Sequence, residues 1–294
     1  MNSSKLHKGY WALAAISFFW GTTWFVSKIA LKHLPPLQMT GMRQTTAGII
    51  MISYFLWRNK KFPPAKDLLY FFLVGFLLIS CSNGLTTWAV KYIPSYLGAL
   101  ISCLMPFVMI LSNFILFREK VKRAAMAGLV VGFSGIAILL SSFIEEMGGN
   151  HFLFGVVLTL IGVGTWTTGT LMTTRSKRDI NPFEGIGWQM LFGGLILLLA
   201  SRLPGHHVPL STVPLSTWLW LIYLTAVGSI FCFICYLYAL KTLPISMVTI
   251  YVYINPIVAL LMGVLFLNEK ISLSIALGAL ITFLGIYLVK RFSK

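Results

Sequence analysis

Long apolar stretches recur along the chain, each close to the roughly 20 residues a helix needs to cross a lipid bilayer. They cover residues 10–31, 37–57, 68–90, 94–117, 124–142, 152–174, 183–200, 217–240, 244–267 and 272–289. They are continuously apolar. A membrane barrel would instead show segments of about 10 residues alternating apolar and polar, so the pattern predicts helices. Connections are short, the longest lying around 202–216. The first stretch is too long for a signal-peptide core and lacks a small-residue cleavage site, which predicts a retained first helix. The expected fold class is an all-α integral membrane protein of ten transmembrane helices.

Composition supports lipid as the main solvent. Of the 294 residues, 57% are hydrophobic and 10% charged, with a mean hydropathy of +0.85. A soluble domain carries about 25% charged residues, enough to coat a wet surface. The net charge of +16 raises the question of nucleic acid, but the distribution of the basic residues answers it. With the amino terminus in the cytoplasm, the inner loops receive Lys5, Lys8, Arg58, Lys60, Lys61, Lys66, Arg118, Lys120, Lys122, Arg123, Arg175, Lys177, Arg178, Lys241, Lys290, Arg291 and Lys294. The outer loops receive Lys32, Lys91, Arg202 and Lys270, and one of them carries Glu145 and Glu146. This asymmetry is the positive-inside rule, followed loop by loop. It places both termini in the cytoplasm, predicts a cell inner membrane location, and leaves lipid rather than nucleic acid as the macroscopic partner. Cys81, Cys103, Cys232 and Cys235 all fall inside predicted spans and read as small apolar packing residues.

The chain also repeats itself. Ala89-Val90-Lys91-Tyr92-Ile93-Pro94 matches Ala239-Leu240-Lys241-Thr242-Leu243-Pro244. Pro106 matches Pro256, Glu119-Lys120 matches Glu269-Lys270, and Gly128, Gly135 and Ile136 match Gly278, Gly285 and Ile286. Trp20 pairs with Trp166, Pro36 with Pro182 and Gly48 with Gly194. Each half holds an odd number of predicted helices, so the second enters the membrane upside down. Inverted repeats of this kind are common in secondary transporters, whose substrates bind near the midplane between the halves.

These motifs, in this order, resemble the EamA-type branch of the drug/metabolite transporter superfamily. The marks are Trp20-Gly21-Thr22-Thr23-Trp24, Pro36 with Arg43, and the duplicated closing segments from Pro106 to Gly135 and from Pro256 to Gly285. The resemblance spans nearly the whole chain. It implies two five-helix repeats, 1–146 and 147–294, forming one membrane domain. It also implies a transporter, often an exporter of amino acids or related metabolites. The second half departs from the pattern: Trp166-Thr167-Thr168 lacks the following Trp, and Gln189 stands where the first half has Arg43.

Polar groups at membrane depth are costly and mark candidate sites. Arg43, a short way into the second helix, can hold a substrate carboxylate with its planar fork or form a structural bridge to Glu269. No carboxylate lies mid-span, which disfavours an obligatory proton relay. Trp20 and Trp166 lie near the middles of helices one and six. Thr23, Asn83, Thr86 and Thr87 are further polar candidates, as are Ser229, Tyr236, Tyr251, Tyr253 and Asn255. A pocket of Trp20, Thr23, Asn83, Trp166, Tyr236, Tyr251 and Asn255, with Arg43 and Gln189, would be mostly apolar with a few hydrogen-bonding groups, the usual make-up of a small-molecule site. Each of these side chains serves equally well in helix packing. Trp24, Trp57 and Trp88 lie nearer span ends and read as interface anchors. Pro106 and Pro256, about halfway along helices four and nine, predict kinks that free the carbonyls of Ser102 and Val252 and act as hinges. Gly128, Gly132 and Gly135, with Gly278 and Gly285, predict close helix packing.

Other classes fit less well. Gly132-Phe133-Ser134-Gly135 looks like an intramembrane serine motif, but every histidine falls in the amino-terminal tail or a loop, so the nucleophile has no base. No phosphate-binding loop with its lysine occurs, and no cofactor or metal is expected. The expected partner is a small-molecule substrate, carried by a monomer. Uptake or exchange of a sugar-like or phosphorylated solute, and a membrane enzyme or sensor, are the alternatives.

Overall fold

The computed structural model describes residues 3–59, 62–118, 122–147, 149–178, 180–269 and 272–292. Among them the chain is helical, with no strand. The elements are α1 (Ser3–Ala30), α2 (Pro36–Asn59), α3 (Ala65–Gly75), a π-helical segment π1 (Phe76–Gly84), α4 (Leu85–Ala89), α5 (Ser95–Ser102), α6 (Met105–Phe117) and α7 (Arg123–Met147). There follow α8 (Asn150–Arg175), α9 (Pro182–Ala200), α10 (Leu215–Tyr223), a second π-helical segment π2 (Leu224–Phe231), α11 (Cys232–Thr242), α12 (Ile245–Val248), α13 (Tyr251–Leu267) and α14 (Leu273–Phe292). Every stretch expected from the apolar pattern has a helical counterpart. Six helical stretches are long and apolar enough to cross a membrane: Lys5–Ala30, Ala65–Ala89, Ser95–Ile115, Asn150–Arg175, Pro182–Ala200 and Leu215–Thr242. Apolar helical stretches also run over Met126–Ser141 within α7, Tyr251–Leu267 (α13) and Leu273–Val289 within α14. Of the long helices, α2 stands apart because Gln38, Thr40, Arg43 and Gln44 interrupt its apolar surface, and all four are buried.

Local chemistry sets the ends. Pro36 and Pro182 open α2 and α9, where the missing N–H would be unsatisfied in any case. The Asn181 side chain accepts from Phe183 N (3.1 Å) and so caps α9. Arg118 and Asn268 end α6 and α13 in the left-handed conformation, both at φ 54°. A left-handed residue is a common way to stop a helix.

Two helix pairs clamp the bundle. α7 packs along α14 and α2 along α9, in each case with little between the backbones. A Cβ on Gly48 would lie 2.8 Å from Leu191 Cα, and one on Gly285 would lie 2.8 Å from Gly128 O. One on Gly278 would lie 2.9 Å from Gly135 O. Small residues allow this approach where lipid offers no hydrophobic drive between helices. The expected glycine stripe on α7 therefore packs against its own counterpart on α14. α1 runs through the middle against α13 and α11. Its Ile16 joins Tyr96, Phe107 and Leu139 in the main apolar core. Apolar side chains on the perimeter, such as Trp57 at 78% exposure, face outward as lipid contacts.

The helix carrying Pro106 is interrupted at Cys103-Leu104, between Ser102 and the proline, and Pro106 sits in the first turn of α6. Pro256 lies inside α13. Two expectations need correction. Arg43 and Glu269 do not bridge: Arg43 Nε donates to Ser229 Oγ (2.8 Å), while Glu269 accepts from Ser95 N and Ser95 Oγ (both 2.9 Å). Trp24 is not an interface anchor, because its ring lies over Gly98 inside the bundle. The matched residues Glu119, Lys120 and Lys270 lie outside the described residues.

Candidate functional site

A cavity of about 160 Å³ lies between α1, α2, π1–α4, α5–α6, α8, α11 and α13. From α1 it is lined by Trp20, Thr23, Trp24 and Ser27. These residues recur every three or four positions, so they form one helical stripe. From π1 and α4 come Ser82, Asn83, Thr86 and Thr87, followed by Val90 at the end of α4, which recur in the same way. The remaining wall includes Ala99, Ser102, Met105, Gly162, Trp166, Phe233, Tyr251 and Asn255, with Arg43 from α2.

One end of the cavity is aromatic. The Trp20 ring lies 5.2 Å from Phe233 and 5.3 Å from Tyr251, both edge-on, and 5.4 Å from Tyr236. Such edge contacts favour a fixed arrangement beyond simple burial. Trp20 Nε1 donates to Gly228 O (2.9 Å). That carbonyl belongs to π2, where i→i+5 pairing disturbs the ordinary helical ladder. Trp166 from α8 joins the same aromatic group, its ring 6.4 Å from Phe233.

The polar wall also depends on a π-helical segment. Asn83 lies in π1 and donates weakly from Nδ2 to Leu78 O (3.4 Å). Thr86 Oγ1 donates to Ser82 O (2.8 Å), and Thr23 Oγ1 to Trp20 O (2.6 Å). Each hydroxyl spends its proton within its own helix and keeps lone pairs for a solute. Asn255, with its amide turned as the surrounding carbonyls require, donates to Ser17 O (2.7 Å) and ties α13 to α1. π-Helical turns often mark functional sites in helices. Here π1 supplies Ser82 and Asn83, and π2 supplies the partners of Trp20 and Arg43.

Arg43 is 5% exposed, and its guanidinium faces the cavity. Ser229 Oγ accepts from its Nε and donates in turn to Gln44 Oε1 (3.3 Å). Among the described residues lining the cavity there is no Asp or Glu. Near Arg43 the space is tight: a Cβ on Gly228 would sit 2.9 Å from Nη2.

Seven of the nine side chains proposed for the pocket thus share one cavity, Trp20, Thr23, Arg43, Asn83, Trp166, Tyr251 and Asn255, and the further candidates Thr86 and Thr87 line it with them. Tyr236 stands behind it, 5.7 Å ring to ring from Tyr251. Gln189 is elsewhere: it is buried where Gly75 of α3 meets its backbone. The position in the second half that matches Arg43 therefore does not reach the cavity. The proline positions Pro106 and Pro256 flank the wall without lining it, next to Met105 and Asn255. Sequence reasoning missed Trp24, Ser27, Ser82 and Gln44. The helical stripes through Trp20 and Asn83 carried the signal for the first three.

Comparison with known proteins agrees with this architecture. The family described as the EamA-like transporter family matches twice, over residues 7–141 and 153–291. The uncharacterized inner membrane transporter YedA of Escherichia coli (strain K12) is 34% identical over 264 residues, covering 89% of this chain and 83% of its own. Protein PecM of Dickeya dadantii (strain 3937) is 28% identical over 276 residues, covering 93% and 89%. A solved crystal structure superposes with a TM-score of 0.68 at 18% identity, covering 100% of this chain and 98% of its own, a likeness of fold. The chain belongs to the EamA-like transporter family, a multi-pass membrane transporter whose relatives include inner membrane proteins.

Proposed function

We propose that this transporter moves amino acids or related small metabolites out of the cell by alternating access through the cavity around Trp20 and Trp166. The observation that carries the reading is that both halves of the chain wall one cavity, with Trp20, Asn83 and Arg43 from the first and Trp166, Tyr251 and Asn255 from the second. A rocking of two like halves would expose such a cavity to each side in turn. In this reading the chain has ten spans in two inverted five-helix repeats, 1–146 and 147–294, with both termini cytoplasmic and a single chain as the working unit. The double match of one family description supports the repeat. The outward direction rests on the family resemblance.

Purified protein in liposomes provides the test, with labelled amino acids supplied with and without a pH gradient. Saturable amino-acid flux without the gradient supports a facilitative carrier. Flux that requires the gradient moves attention to Glu184 and Glu269 at helix ends. Absence of flux for every amino acid tried overturns the substrate assignment.

A further inference from the structure

The geometry points to a net-anionic solute, bound through its carboxylate by the free edge of Arg43 and gathered by a basic mouth at the same end of the bundle. This rests on the transport reading above and, among the small metabolites that reading allows, selects organic carboxylates without a compensating ammonium group over the zwitterionic amino acids.

Two independent observations carry it. The first is the state of Arg43. A guanidinium has five N–H donors. Among the described residues only Nε has a protein acceptor, Ser229 Oγ, and Ser229 is itself held by Gln44. That chain fixes the plane of the guanidinium and leaves the Nη atoms without an acceptor among the described residues. A buried charge with unmet donors is costly unless an anion completes it. The fork of two N–H groups matches a carboxylate in a bidentate fit.

The second is the mouth. Lys28, Lys32 and Lys91 line a depression of about 300 Å³ with Leu31, Leu267 and Glu269. Lys28 and Lys91 directly follow Ser27 and Val90, which line the cavity, so depression and cavity share the corner between α1 and α4. Among the described residues Glu269 is the only acid in that lining, one carboxylate against three lysines, and Ser95 N and Oγ hold its two oxygens in place. Lys28 spends its ammonium on Val90 O and Ile93 O (both 2.6 Å). Lys32 and Lys91 remain to present positive charge to an arriving solute. A cleft with an excess of one sign of charge concentrates ligands of the other. The cavity itself offers an amine no carboxylate, so a zwitterion would leave its ammonium without an ionic partner.

The test uses the full-length purified protein and a matched set of probes: 3-phenylpropanoate, its amide, 2-phenylethylamine and phenylalanine. Binding is read from the fluorescence of the tryptophans that line the cavity. The expected result is that the carboxylate binds roughly tenfold or more tighter than the amide, the advantage of a charge-assisted hydrogen bond, and tighter than phenylalanine. Equal binding of acid and amide, or tighter binding of the amine or of phenylalanine, overturns the proposal. Because that series uses the wild-type chain, it holds even if Arg43→Gln does not fold. Where Arg43→Gln folds, the acid should lose its advantage over the amide, and Arg43→Lys should recover part of it; an undiminished advantage in Arg43→Gln overturns the proposal. Changing Lys32→Gln and Lys91→Gln together should flatten the salt dependence of the association rate, and an unchanged salt dependence removes the mouth from the proposal. Selective carboxylate binding without flux in liposomes would leave the site standing and sink the transport reading instead.

Discussion

Cys103 Sγ donates to Val252 O at 3.2 Å, across the two interrupted helices of the bundle. The carbonyl of Val252 is the one that Pro256, four residues on, cannot serve. The thiol that serves it stands at the break between α5 and α6. A proline defect in one half is thus answered by a helix break in the other. Cys103→Ala should lower stability by about 1 kcal/mol, the net worth of one buried hydrogen bond, while Cys103→Ser should hold more of it. Thermal melts in detergent measure both. Equal melting of all three proteins would show that the contact contributes nothing.

Gly285 should tolerate no side chain, since its backbone lies directly against Gly132 and Gly128. Gly285→Leu must separate α7 from α14 and should cost several kcal/mol, in the range seen for overpacking and broken core contacts. The measure is the amount of protein recovered in the membrane and its monodispersity after extraction. Wild-type yield and melting temperature would contradict the close approach described here.

Trp20 has two roles that substitution can separate. Trp20→Phe keeps an aromatic ring beside Phe233 and Tyr251 but loses the bond to Gly228 O. Trp20→Ala removes both and leaves a hole worth about 3–5 kcal/mol of stability. Flux should therefore fall in the order wild type, Trp20→Phe, Trp20→Ala. Asn83→Ala should lower flux without reducing the amount of folded protein, because its one bond to Leu78 O is long. Unchanged kinetics in both Trp20→Ala and Asn83→Ala would place the transport route elsewhere.

The orientation is testable without any substrate. Basic residues concentrate in the loops expected on the cytoplasmic side. A reporter active only in the cytoplasm, fused after Lys294, should therefore be active, and one active only outside the inner membrane should be silent. The reverse pattern would invert every loop assignment made here.

The sequence by itself determined that the chain is helical, roughly where each helix runs, and which family it joins. Those properties follow from apolar length, from proline and glycine position, and from motif order, all of which are local along the chain. It also named Trp20, Asn83, Trp166, Tyr251 and Asn255 as candidates, because polar and aromatic groups stand out against an apolar background. Only the tertiary structure decided which face of each helix points inward. Trp24 lies four residues from Trp20 on the same face, so it lines the cavity instead of anchoring the end of α1. Gln189 matches Arg43 by repeat position, yet it is absent from the cavity lining and its backbone lies against Gly75 of α3. The acceptor for Arg43 could not be read from spacing either, because Ser229 is 186 residues away and is presented by a π-helical turn. Helix rotation and backbone irregularity are settled by packing between distant segments. A membrane-spanning sequence, apolar on nearly every side, carries little amphipathic signal to specify them in advance.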